Sequence, residues 1–310
     1  MNYSWEFFVS RRHIAAGVIA ALMGLAASGC VDDTAPAQSV ASSDAPTAVI
    51  AHRGGALLRP ENTLPAFRYA AELGAEYIEF DMLMTADEQI AVYHDGTINQ
   101  QFCTPAAGSD VTPGPVHELT LEQVQHFDCG TGARASYAGT KFVPAPGAQI
   151  PTLDEVLGAM RGNDARLFVE TKVPKDAKVD PVLFAELLNE AVRRHGLEER
   201  VILQSFDFRT IDALHQINPH IRTCLLGVPD RTNDHLSLLR EHHATCIVLS
   251  ADQADRTEVR ELQEAGVLVF SGVVDAPQDW EKATALGMDA IFTNDPRGAI
   301  EFLEKASLRP

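Results

Sequence analysis

The chain has 310 residues, 45% of them hydrophobic, and 25 Lys and Arg against 43 Asp and Glu give a formal charge of −18. That length suits one α/β barrel of roughly 250 residues preceded by an extension. A dispersed acidic surplus excludes nucleic acid as the main partner, because phosphate backbones need basic stripes, but it leaves room for a single phosphate beside a metal ion.

Residues 1–30 read as an export signal. Arg11 and Arg12 precede the apolar run from Ile14 to Leu25, which is short for a membrane span, and small residues then lead to Cys30. The pattern resembles a bacterial lipoprotein signal in which Cys30 is lipidated. The arginine pair also resembles a twin-arginine signal, and plain cleavage or a retained anchor stays open. Each reading implies an exported bacterial protein, periplasmic or membrane-anchored as a lipoprotein, with any membrane association made through Cys30. Residues 31–47, rich in Ala, Ser, Pro and Asp, cannot bury enough surface to fold and read as a flexible tether.

From residue 48 to 310, short apolar runs alternate with helical patterns, the signature of a parallel sheet with crossover helices. The predicted strands are Ala48–Ala51, Tyr77–Met82, Ile90–His94, Leu167–Lys172, Val201–Ser205, Thr223–Leu226, Cys246–Leu249, Val267–Phe270 and Ala290–Thr293. Among the helices, Leu64–Leu73 starts after Thr63 as N-cap and ends at Gly74. The fold expected is a (β/α)8 TIM-type barrel, slightly irregular, since nine strands compete for eight places. Only seven residues separate the second and third strands, so one crossover helix is expected to be missing there. Residues 96–151 form a Pro- and Gly-rich insertion after the third strand, with a helix near Leu121–Phe127, expected beside the mouth of the barrel. In an oxidising compartment Cys103 and Cys129 can close a loop within it. Cys224 and Cys246 lie in apolar runs and read as buried strand residues, with a bridge between them less expected. Trp280 falls in a predicted helix and reads as packing.

Four strands end in ionisable residues: His52-Arg53, Glu79 and Asp81, His94-Asp95, and Glu170 with Lys172. Residues two apart on a strand face the same way, so Glu79 shares a face with Asp81 and Glu170 with Lys172. Singly, each has a structural reading as a hydrogen-bonded histidine, a cap or an internal ion pair. Together, at the carboxyl ends of successive barrel strands, they point to a metal-assisted hydrolase or lyase.

The ordered set His52-Arg53-Gly54-Gly55, Pro60-Glu61-Asn62-Thr63, Glu79-Phe80-Asp81, His94-Asp95, Glu170-Thr171-Lys172, Gln204-Ser205-Phe206 and Thr293-Asn294-Asp295-Pro296 resembles the glycerophosphodiester phosphodiesterase family. The resemblance implies a divalent metal, Ca2+ or Mg2+, held by Glu79, Asp81 and Glu170. Hard oxygen ligands suit either ion, and no cysteine cluster suggests zinc. It makes His52 and His94 the catalytic acid/base pair and Arg53 and Lys172 the substrate-binding cations, with Glu61 beside Arg53. It further implies attack of a glycerol hydroxyl on phosphorus, then opening of the cyclic phosphate to glycerol 3-phosphate. Which histidine is acid and which base stays open. The family's tryptophan-bearing strand reads Val269-Phe270-Ser271-Gly272-Val273-Val274 here, with Phe270 expected to keep an aromatic wall. The partner expected is a small-molecule glycerophosphodiester. Lysophospholipase D-like hydrolysis of membrane-derived lipids, or a non-catalytic phosphate-ligand-binding lipoprotein, are the alternatives, and the oligomeric state is unspecified.

Overall fold

Short apolar runs become strands, and the Thr or Asp that follows most of them starts a helix. The computed structural model describes residues 46–309 apart from 138, 140, 176 and 229–233. Its strands are β1 (Ala48–Ala51), β2 (Tyr77–Met84), β3 (Ile90–Val92), β4 (Thr104–Pro105), β5 (Phe127–Asp128), β6 (Arg166–Thr171), β7 (Val201–Ser205), β8 (Arg222–Leu225), β9 (Cys246–Leu249), β10 (Leu268–Val273) and β11 (Ala290–Thr293). The helices are α1 (Leu64–Glu72), α2 (Leu121–Gln125), α3 (Leu153–Met160), α4 (Pro181–His195), α5 (Phe208–Ile217), α6 (His235–Glu241), α7 (Arg256–Glu264), α8 (Pro277–Leu286) and α9 (Pro296–Lys305). A Thr or Asp side chain accepts from the first turn of each helix except α8, which begins at Pro277 instead. The predicted export signal, most of the tether and Cys30 lie outside the described residues. No helix among the described residues is long and apolar enough to cross a membrane.

Eight parallel strands run β1-β11-β10-β9-β8-β7-β6-β2 and close through β1 against β2. Ile50, Tyr77, Phe168, Ile202, Cys224, Cys246, Phe270, Ala290 and Phe292 cluster as a buried core. Side chains pointing inward from the strands fill such a barrel rather than leaving a pore. Phe270, expected at the recognition wall, packs against Phe168 and Tyr77 in this core and is 1% exposed. Val273, further along the same strand, is exposed. Cys224 and Cys246 are register partners on neighbouring strands, and the structure joins them by a disulfide rather than leaving two free thiols.

The surplus strand is β3, third in the predicted order, which pairs antiparallel with β2 and forms no barrel stave. A seven-residue connection cannot hold a crossover helix, so the chain must turn back on itself. No crossover is lost: α3 makes the connection from β2 to β6 after the insertion, contrary to the expectation of a missing helix. Since β1 meets β2 only at Tyr77 and Ile78, and Val92 pairs with Met82, β3 brings His94 back toward the end of β2 that bears Asp81. His94 therefore arrives against the strand direction that the sequence suggests.

The insertion has its own small core, in which Phe102, Val116, Val124, Phe127 and Ile150 pack against Leu83 and Tyr93. The Cys103–Cys129 disulfide fastens it. Ala145 N donates to Gly130 O at 2.7 Å, closing a loop at its base, and Val143 N donates to Leu58 O at 3.0 Å, docking that loop beside the end of β1.

Candidate active site

The chain leaves β1 through a tight turn, His52-Arg53-Gly54, in which Arg53 takes φ 52° and Gly54 φ 79°. A left-handed arginine is uncommon and costs roughly 1–2 kcal/mol. Here its backbone N–H is held by Glu79 Oε2 at 2.7 Å. A Cβ on Gly54 would lie 2.8 Å from Ala66 Cβ and 2.9 Å from Phe67, so only glycine lets the turn sit against α1. The turn aims the buried Arg53 side chain at two carboxylates: Nη1 donates to Glu61 Oε1 at 3.0 Å, and Nε lies 3.3 Å from Asp81 Oδ2. Glu61 thus stands beside Arg53 as the sequence suggests.

Glu79, Asp81 and Glu170 are all buried, and one oxygen of each lies within 4.8 Å of the others. They come from neighbouring strands in register, with Asp81 opposite Glu170. Burial and the charges of Asp81 and Glu170 push Glu79 well above the usual carboxylate range, and burial with the charge of Asp81 raises Glu170 to about 7. Burial works against ionised Asp81 too, but Lys172 and Arg53 outweigh it and hold that carboxyl low. Lys172 Nζ sits 2.5 Å from Glu170 Oε1 and 3.1 Å from Asp81 Oδ1. Asn62 donates to Asp81 Oδ2 at 2.8 Å and Gln204 to Glu79 Oε1 at 3.1 Å, which orients both acids.

These residues fit a hard divalent cation. Oxygens bonded to one ion at about 2.0–2.6 Å span up to about 4–5 Å, matching the cluster. The buried Gln204 Oε1 has no hydrogen-bond partner, and Lys172 alone meets Asp81 Oδ1; buried acceptors without donors are rare unless something else meets them. A cation would also offset the repulsion that raises Glu79 and Glu170.

The two histidines have different surroundings. His52 is 9% exposed, and its Nδ1 lies 2.7 Å from Asn294 Oδ1. Asn294 donates its amide to Asp275 Oδ2 at 2.9 Å, which turns its oxygen toward the ring. His52 Nδ1 must then carry the proton, leaving Nε2 with a free lone pair. Burial first, and Arg53 second, lower its pKa to about 3. His94 Nδ1 instead faces a carboxylate, Asp95 Oδ1, at 2.6 Å. Burial opposes ionised Asp95, but hydrogen bonds from His94, Arg134 and Asn99 outweigh it and keep the carboxyl below its ordinary range.

The structure thus gathers Arg53, Glu79, Asp81, Glu170 and Lys172 into one contact network, with His52 and His94 close enough to feel Asp81. It also adds two residues to which the sequence reading gave no role. Asn294 stands in a motif already singled out. Arg134 does not: its signal is that it and Lys141 are the only Lys or Arg in residues 96–151. Both reach residues outside the insertion, Arg134 to Glu61 and Asp95, and Lys141 to Asp295 at 2.6 Å.

A family model described as the glycerophosphoryl diester phosphodiesterase family matches residues 52–297. A glycerophosphodiester phosphodiesterase of Caldanaerobacter subterraneus is 31% identical over 266 residues, covering 84% of this chain and 98% of that one. A solved structure from Silicibacter pomeroyi superposes with a TM-score of 0.78 at 23% identity, covering 84% of this chain and 94% of its own. An Oleispira antarctica phosphodiesterase, solved in complex with the product sn-glycerol-3-phosphate, gives 0.71 at 19% identity over 84% of this chain and 97% of its own. The family match runs from His52 to Arg297 and takes in the three clustered carboxylates, both histidines and both cations, and the chain belongs to the glycerophosphoryl diester phosphodiesterase family.

Proposed function

We propose that the chain hydrolyses glycerophosphodiesters to glycerol 3-phosphate and an alcohol, using a divalent cation and two histidines of opposite roles. The observation that carries this reading is the buried cluster of Glu79, Asp81 and Glu170 beside two histidines with contrasting partners. Bound by these three residues, Ca2+ or Mg2+ would supply charge for the phosphoryl oxygens and polarise the glycerol hydroxyl.

His52, neutral and with Nε2 free, is the base that takes the proton of the attacking glycerol hydroxyl. His94, whose Nδ1–H donates to the Asp95 carboxylate, gives its Nε2 proton to the departing alcohol oxygen. The P–O bond to glycerol forms as the P–O bond to the alcohol breaks, leaving a cyclic glycerol phosphate. The histidines then exchange roles: His94 takes a proton from a water whose oxygen bonds to phosphorus, and His52 returns one to the glycerol oxygen as the ring P–O bond breaks. Arg53 and Lys172, drawn in by the carboxylates, are placed to hold phosphate oxygens as they gather charge. The family match and the Caldanaerobacter relative support the activity.

Export through residues 1–30, with Cys30 as a lipid attachment, is part of this proposal and rests on the sequence pattern. The decisive assay supplies the purified protein lacking residues 1–47 with a panel of glycerophosphodiesters and a lysophospholipid, with and without chelator. Glycerol 3-phosphate released only in the presence of metal is the expected result. Release that survives complete chelation contradicts the metal role, and turnover of the lysophospholipid alone favours the lipid reading.

A further inference from the structure

The insertion sends one guanidinium between two carboxylates of the site. Arg134 lies in the loop between Gly130 and Ala145, where the chain passes so closely that a Cβ on Gly130 would fall 1.8 Å from Ala145 O. Cys129, bonded to Cys103, fixes one side of that base. Lys141 to Asp295 and Val143 N to Leu58 O fix the loop against the segments after β11 and β1. From this support Arg134 reaches two carboxylates at once. Nε and Nη2 donate to Glu61 Oε2 and Oε1 at 2.7 and 2.8 Å, a bidentate pair, and Nη2 also donates to Asp95 Oδ1 at 2.7 Å.

Each of those carboxylates holds a residue of the proposed chemistry. Asp95 Oδ1 accepts from His94 Nδ1, and Glu61 Oε1 accepts from Arg53 Nη1. The chain of contacts is therefore Arg53–Glu61–Arg134–Asp95–His94, running from a phosphate-holding cation to a proton donor. Asn99 Nδ2 on Asp95 Oδ2 at 2.9 Å and the Phe102 ring 5.0 Å from the guanidinium complete the seat. The Arg134 side chain is 19% exposed, so removing it would leave two poorly solvated carboxylates free to rotate away.

We infer that Arg134 is a positioning residue for the hydrolysis, acting through Asp95 on His94 and through Glu61 on Arg53. The inference rests on the function proposed above. Its Nε and Nη2 are committed to carboxylates, so its main part is to set their geometry. A planar fork can bridge Glu61 and Asp95 in fixed directions, whereas a lysine ammonium is a point charge without that shape.

The test measures kcat and KM of Arg134→Ala and Arg134→Lys on glycerophosphocholine with saturating cation, together with thermal midpoints. It also follows the downfield proton resonance of His94 Nδ1–H. Arg134→Ala is expected to lower kcat by about 100-fold, within the range for acid/base catalysis, with KM changed less than about threefold. Millimolar guanidinium should restore part of the rate, and the downfield resonance should broaden or vanish. Arg134→Lys should remain at least about tenfold slow, by the loss of the fork. A kcat for Arg134→Ala within threefold of wild type overturns the inference, as does a loss unrelieved by guanidinium with the resonance unchanged. If Arg134→Ala does not fold, Arg134→Lys decides, and a wild-type kcat there overturns it. A wild-type protein inactive on the substrate sinks the proposed function, while the His94 resonance still judges Arg134.

Discussion

Asn294 presents its side-chain oxygen to His52 Nδ1 at 2.7 Å and can do so in one orientation only, because its amide nitrogen is donated to Asp275. The backbone N–H of Asn294 and the hydroxyl of Thr293 bind the other oxygen of that carboxylate, at 2.7 and 3.1 Å. Strand β11 therefore ends in a device that selects a tautomer on β1, its neighbour in the barrel. Asn294→Ala should reduce kcat by about 10- to 100-fold with KM nearly unchanged, because ring orientation is part of the acid/base contribution. Wild-type kcat in this variant would remove Asn294 from the site.

Asn294→Asp changes the sign of the field at His52. An ionised carboxylate beside Nδ1 favours imidazolium, so the His52 pKa rises from its low value of about 3. A base must be unprotonated to work, so activity should now be lost at a higher pH as acid is added. The acid limb of log kcat/KM against pH should move upward. An unmoved limb would mean that another group sets it.

Metal removal should be visible without any assay of turnover. A ligand that binds only the folded chain stabilises it by about 2.7 kcal/mol at 100 times its Kd, so Ca2+ or Mg2+ should raise the thermal midpoint. Asp81→Asn and Glu170→Gln remove charge from the buried cluster and should shrink or abolish that rise. Glu170→Gln should stay folded, since it relieves repulsion among the three acids, whereas Asp81→Asn also takes a counter-charge from Arg53 and Lys172 and should lower the midpoint of the metal-free protein. A wild-type midpoint indifferent to both ions would refute the assignment of these residues as ligands.

Gly54→Ala places a methyl group 2.8 Å from Ala66 Cβ at a backbone φ of 79°. The cost is roughly 1–3 kcal/mol for the left-handed strain and the forced shift together. The same shift displaces Arg53, whose N–H holds Glu79. The variant should therefore lose both thermal stability and metal affinity, the second measured by calorimetric titration. Loss of stability with metal affinity intact would separate the turn from the cluster.

The disulfide Cys103–Cys129 closes a sequence separation of 26 residues. Removing such a closure costs about 3–4 kcal/mol by chain-entropy reasoning. Both sulfurs belong to buried residues, so reductant should act only when the insertion opens. The expected result is slow thiol release in native buffer and fast release in mild denaturant. Immediate release under native conditions would contradict the packing of the insertion.

The parts legible in the sequence were those with local periodicity. Glu79 and Asp81 follow the two-residue repeat of a buried strand, and Glu170 with Lys172 does the same, so shared faces could be read directly. His52 was legible because a glycine pair follows it, and the structure shows why glycine is needed there. The course of β3 was not legible, since a short apolar strand carries no mark of its direction. Counting it as a stave also produced the mistaken loss of a crossover helix. Arg134 was hidden for a different reason. Its partners lie 73 and 39 residues away, and the Gly- and Ala-rich stretch around it has no period at all. Phe270 shows the opposite limit, for a family motif located the strand but not the depth at which its aromatic ring sits.

The reversal of β3 separates the site into two mechanical bodies. The three carboxylates proposed as cation ligands stand on staves of the closed barrel, where each strand is braced from both sides. His94 and Asp95 hang from a strand outside that closure, steadied by a disulfide-bonded graft of loops. Changes in the graft would therefore act first on the proposed proton donor, and would reach the proposed cation seat only through Arg134, Glu61 and Arg53.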